Sequence, residues 1–133
     1  MHQSVQLMWD NYLAHQSQLS LPTDAPPAWY FCDNETDANE CAQLVMTGVK
    51  RATSPSLWFF ESSGEALPCI GDLNIVTDWN GKAVCIIRTT HVQILPLNEV
   101  TEVHARLEGE GDGSLDWWLK AHFLCIKNQS FLN

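Results

Sequence analysis

The sequence predicts an α+β domain. Residues at helical spacing dominate both ends of the chain, alternating residues around an Asn-Gly pair form a β-meander in the middle, and glycines, prolines and capping residues mark each change between them. Residues 3–16 place Val5, Met8, Trp9, Tyr12 and Leu13 on one apolar face, which predicts a first helix. Residues 20–28 contain Pro22, Pro26 and Pro27 and read as a surface connection. Trp29-Tyr30-Phe31 reads as a short strand. The acidic segment Asp33 to Asp37 suits a helix N-terminus, where caps and negative charge are favoured. That helix is expected to run to Thr47, with Cys41, Leu44 and Val45 inward, and Gly48 is placed for a left-handed cap.

Ser54-Pro55 has the pattern of an N-cap followed by a first-turn proline, so a short helix through Trp58, Phe59 and Phe60 is expected to end at Gly64. Leu73 to Thr77 alternates as a strand does, and Asn80-Gly81 is a two-residue hairpin signal. The return strand is expected over Ala83 to Ile87, continuing with a bend past Thr89-Thr90 to Leu95. Asn98 is the expected cap of a helix from Glu99 to Glu108, which Gly109, Gly111 and Gly113 terminate. Ser114 then caps a last helix from Leu115 to near Ile126, with Leu115, Trp118 and Leu119 on one side. In this organisation residues 1–28 are a helix and a Pro-rich connection packed on a domain formed by residues 29–133.

Composition narrows the function classes. A chain of 133 residues, 45% apolar, fits one globular domain with its own core. No apolar run approaches the roughly 18 residues of a membrane span, and the N-terminus lacks the basic and apolar blocks of a signal peptide. The expectation is a cytoplasmic protein with no membrane partner. The five cysteines are odd in number and include no C-x-x-C pair, which favours buried free thiols over zinc ligands or disulfides. Seven lysines and arginines face sixteen acids, for a net charge of −9. Such a balance opposes binding of DNA or a long RNA through many phosphates. A nucleotide-sized ligand needs only a local patch, which Lys50 and Arg51 supply.

Two motifs carry candidate chemistry. Gly48-Val49-Lys50-Arg51-Ala52-Thr53 sets an amine and a hydroxyl close together after a helix-ending glycine. A neutral lysine can take a proton from a hydroxyl, as serine–lysine dyads do. The plainer alternative for Lys50 is a solvated charge at a helix C-terminus. Thr101 to Glu108 places Glu108 one turn after His104, on the same helix face. A carboxylate at a helix C-terminus is electrostatically disfavoured, so Glu108 is either functional or part of a solvated acidic loop with Glu110 and Asp112. His104 with His122 is an alternative acid–base pair for phosphodiester cleavage. Trp58, Trp79, Trp117 and Trp118 are candidates for base stacking or for the core.

Gly48-x-Lys50-x-x-Thr53 resembles the signature of the ASCH family, and Ala42 to Lys50, Pro68-Cys69-Ile70-Gly71-Asp72 and Glu108-Gly109-Glu110-Gly111-Asp112 followed by tryptophan resemble, in order and spacing, a bacterial stand-alone branch of it. ASCH domains are related to the PUA RNA-binding fold, and the resemblance covers residues 29 to 123. It implies a small PUA-like β-barrel of about five to six strands with flanking helices. In one bacterial group of the family it implies hydrolysis of the acetyl amide of N4-acetylcytidine. The triad of that group is similar to Lys50, Thr53 and Glu108, with no metal or other cofactor. A related branch implies binding or cleavage of short single-stranded RNA, and a non-catalytic ASCH domain is a third alternative. The resemblance makes Thr53 the nucleophile, Lys50 its base and Glu108 the group serving the leaving amine, with Arg51, Trp58 and His104 as substrate-binding candidates. Relatives carry a further strand where this chain stops, so an open sheet edge is expected. Either Ser130-Phe131-Leu132 folds back over it or a homodimer shields it, and the shortness of that apolar tail favours the dimer.

Overall fold

The computed structural model describes residues 1–16 and 20–130, with side chains described as far as residue 122. Elements follow in the order α1 (Gln3–Ala14), β1 (Ala28–Trp29), α2 (Glu35–Met46), α3 (Leu57–Ser63), β2 (Leu73–Thr77), β3 (Ala83–Arg88), a 3-10 turn (Leu97–Glu99), α4 (Glu102–Glu108) and α5 (Leu115–Ser130). The chain is therefore mixed α+β, as its patterning requires. It divides into two compact units. The first joins Met1–Met46 to Cys69–Val92, and the second joins Thr47–Pro68 to the segment that begins at Gln93.

The first unit is a three-stranded sheet covered by helices. Strand order is β1-β2-β3, with β1 parallel and β3 antiparallel to β2. The hairpin between β2 and β3 uses more than the Asn80-Gly81 pair. Asp78 accepts the N–H groups of Asn80 and Lys82 on one carboxylate oxygen, each at 2.9 Å, and Gly81 takes a φ of 85°. A register shift at Val76/Thr77 absorbs one extra residue, Val84.

The core of this unit follows from the apolar stripe of α1. Val5 and Trp9 are buried against Ile75, and Met8, Tyr12, Leu13, Leu73 and Ile86 pack around them. The Trp9 indole N–H donates to the Pro22 carbonyl at 3.0 Å, so burying the ring leaves no orphan donor. Ser4 accepts the Ala83 N–H at 2.8 Å, which pins the start of α1 to β3. On α2, Ala38, Cys41 and Ala42 are buried, and Asn34 caps the helix by accepting the Asp37 N–H at 2.9 Å. Leu44 and Val45 are only half-buried.

Several expectations are corrected here. Among the described residues the sheet has three strands and does not close into a barrel of five to six. β1 is limited to two residues because Pro26 and Pro27 precede it without N–H groups and Cys32 follows at a φ of 66°, which breaks extended structure. β3 stops at Arg88. Beyond it Thr89 bonds back to Asp72 and Gly71, so the ladder ends in a closed turn and does not reach Leu95. The helix expected from Glu99 instead begins at Glu102, with Thr101 at its N-cap. Cys32 and Cys69 are exposed, not buried; Cys41 is buried, and burial pushes the Cys85 thiol up. The tail residues Phe131 and Leu132 lie outside the described residues. Among the described residues no helix is long and apolar enough to cross a membrane.

Trp9 is the largest fully buried side chain of the first unit. Trp9→Ala is expected to destabilise the protein by about 3–5 kcal/mol, through lost burial and a cavity. Urea unfolding measures this, and a loss under about 1 kcal/mol would contradict the placement of the core.

Candidate functional site

The second unit holds the polar centre of the molecule. Its first part is the segment after Gly48, which has the left-handed φ of 81° expected beyond a helix end. The segment lies along the C-terminal end of α4, where Arg51 donates its backbone N–H to the Leu107 carbonyl at 2.6 Å. The approach is tight: a Cβ on Gly109 would come within 2.7 Å of the Val49 carbonyl oxygen. Gly109 also caps α4 at a φ of 68°, so two separate constraints require glycine there.

This contact buries Lys50. The side chain is 3% exposed, and its Nζ donates to the Ala52 carbonyl at 2.9 Å, the Glu108 carbonyl at 3.3 Å and Glu110 Oε2 at 3.0 Å. The Glu108 carboxylate lies 3.9 Å away. A cation on the last carbonyls of a helix is favoured by the helix dipole, and here the lysine comes from a distant segment of the chain.

Glu108 is the last residue of α4 and is 1% exposed. Its Oε2 accepts the Ser54 hydroxyl at 2.9 Å and the Trp118 indole N–H, and lies 3.0 Å from His104 Nε2. The Ser54 oxygen is also 2.6 Å from His104 Nε2. His122 Nε2 faces the other carboxylate oxygen at 3.7 Å. Because the Trp118 carbonyl can only accept, His122 Nδ1 must be the donor in their 2.9 Å hydrogen bond. The His122 ring stacks on Trp118 at 3.9 Å, and His104 meets the same indole edge-on at 5.7 Å.

Local sequence explains how α5 delivers these groups. Ser114 accepts the Trp117 N–H at 3.1 Å, as expected of a cap. Hydrogen bonds from the Ser114 hydroxyl and N–H hold the Asp112 carboxyl below its usual range. Trp118 and His122 then follow one turn apart on one face of the helix.

Of the residues singled out in the sequence, the structure brings Lys50, His104 and Glu108 together. It leaves Thr53, Arg51 and Trp58 exposed, and among the described residues no hydrogen bond joins the Thr53 hydroxyl to Lys50 or Glu108. Ser54 is the hydroxyl inside the cluster. Sequence reasoning assigned it to capping α3, yet the cap of α3 is Ser56, which accepts the Phe59 N–H at 3.2 Å. The second serine of Ser54-Pro55-Ser56 was the available signal that the first was free for another role. Glu110 reads from sequence only as part of an acidic loop and Trp118 only as a stacking or core candidate, since their contacts with Lys50 and Glu108 depend on tertiary packing.

The match to known proteins agrees with the motifs. The ASCH domain family matches residues 27–129. The chain belongs to the ASCH family. It is similar to the crystal structure of an ASCH domain from Lactobacillus crispatus JV V101, at 38% identity and a TM-score of 0.87, over 97% of this chain and 82% of that one. It is also similar to protein EF3133 from Enterococcus faecalis V583, at 36% identity and a TM-score of 0.80, over 92% of this chain and 72% of that one. Among curated proteins none matches. ASCH domains share a PUA-like fold, and within the Gly48–Thr53 segment of this family member Lys50 is the buried residue.

Gly109→Ala is expected to cost at least about 1–3 kcal/mol, because alanine is strained at this φ and its methyl group would strike backbone. Thermal unfolding of the variant reads this directly, and an unchanged Tm would mean that the Val49–Gly109 contact is not made.

Proposed function

We propose that this ASCH domain hydrolyses the acetyl amide on the exocyclic nitrogen of an N4-acetylcytidine-like nucleoside. The observation that carries this reading is the burial of the Lys50–Glu108 pair, 3% and 1% exposed, beside a hydroxyl-bearing loop. Burying such a pair costs several kcal/mol in desolvation and is weak evidence for stability, so a functional demand is the better account of it.

In this reading Thr53 is the nucleophile, at the solvent-facing end of the segment that Lys50 grips through the Ala52 carbonyl. Lys50 passes one proton to Glu110, 3.0 Å away, and then accepts the Thr53 hydroxyl proton as the oxygen attacks the acetyl carbon. Glu108 protonates the exocyclic nitrogen as the carbon–nitrogen bond breaks. That bond's cleavage frees the nucleoside, and water then cleaves the acetyl–threonine ester, giving acetate and restoring the Thr53 hydroxyl. The exposed Trp58 and Arg51 are the proposed contacts for the base and sugar. A net charge of −9 supports a small neutral ligand over an RNA polymer.

The purified protein is expected to release acetate from N4-acetylcytidine. Lys50→Ala and Thr53→Ala should each lower kcat by at least about a hundredfold, because groups acting as a unit fail together. Product release followed by chromatography decides it. Full activity in Thr53→Ala would remove that hydroxyl from the mechanism.

A further inference from the structure

We infer that Ser54 and His104 form a proton relay between the buried Glu108 carboxyl and solvent, with His104 as its outer end. The role assigned to the relay rests on the amide-hydrolase reading, but the relay itself rests on geometry. An acid that protonates a leaving amine must recover a proton in every cycle. Glu108 has almost no contact with water, at 1% exposure. Its nearest partners set the route. Trp118 has only an N–H, which it does not give up. The Lys50 Nζ is 3.9 Å from the carboxylate and just as buried. His122 has committed Nδ1 to a carbonyl, and its Nε2 stands 3.7 Å away, beyond hydrogen-bond reach.

The Ser54–His104 pair differs on each count. Ser54 bonds Glu108 at 2.9 Å and His104 at 2.6 Å, and His104 Nε2 also lies 3.0 Å from the carboxylate. The His104 side chain is 29% exposed, so one end of its ring reaches water while the other touches the site. A hydroxyl is both donor and acceptor and can hand its own proton on while receiving another. The step balances simply. As the outer ring nitrogen of His104, Nδ1, takes a proton from solvent, its Nε2 proton moves to Ser54 and the Ser54 hydroxyl proton moves to Glu108, and a flip of the ring restores the starting tautomer. Ser54 and His104 are thus positioning and relay residues and need not touch the substrate.

Two measurements test this on the full chain. In the first, His104→Ala is assayed on N4-acetylcytidine. The expected result is a loss of about a hundredfold in kcat with little change in KM, partly restored by free imidazole entering the vacated, solvent-open position. His104→Gln guards against a folding artefact: it keeps a donor toward Ser54 but cannot pass that proton on, and should keep the wild-type Tm while remaining slow. A loss that imidazole does not restore, or no loss, overturns the relay. The second measurement does not require turnover. The ¹⁵N resonance of His104 Nε2 should shift in Ser54→Ala and again in Glu108→Gln. If wild-type protein leaves N4-acetylcytidine intact, the substrate reading fails and this resonance decides the relay. A resonance unmoved by both substitutions overturns it.

Discussion

A carboxyl group taken out of water needs a hydrogen-bond partner for each oxygen it hides, and Glu108 imposes that demand on the whole second unit. Hydrogen bonds to charged groups are worth about 1.5–3 kcal/mol each, and leaving one unmade costs a comparable amount. The donors come from two separate stretches of chain, Ser54 from the loop after α2 and Trp118 from α5, while His104, one turn back on α4, bonds Ser54 and lies beside the same carboxylate. No buried polar side-chain atom among the described residues lacks a partner. Among the described residues, α4, α5 and the loop around this site have few other large buried groups, so this polar network specifies their arrangement more than apolar packing does.

The helix end explains why a lysine belongs there. α4 terminates with its carbonyls and an acidic side chain at the same place, an arrangement the helix dipole opposes. Lys50 answers both at once by donating to the Glu108 carbonyl while lying near its carboxylate, and Glu110 adds a further acceptor. Removing one member would leave a buried charge unpaired, which is far costlier than never burying the pair.

The sequence made some of this legible and hid the rest for identifiable reasons. The α1 stripe, the β2–β3 hairpin and the Ser114 cap are local patterns, and each is present. The conflict at Glu108 was also readable, because a carboxylate at a helix C-terminus breaks a local rule. Barrel closure depends on pairing between distant segments, for which a single strand's alternation is no guide. Ser54 was misassigned because two serines flank Pro55 and either fits the capping pattern; only the contact with α4 separates them. Thr53 and Ser54 are adjacent, yet one is exposed and the other bridges two site residues, a difference that spacing to Lys50 cannot reveal.

The contact between Val49 and Gly109 has a consequence for the order of events in folding. The two partners are far apart along the chain, and ordering such a long loop costs entropy before any contact repays it. A growing chain that has released Lys50 from the ribosome has not yet made the α4 carbonyls or Glu110 that will receive its side chain. Until they emerge, the lysine and the loop around it stay hydrated. The polar centre therefore cannot form before α4 has been made, and a partially synthesised chain carries the signature motif without the surroundings that give it chemistry.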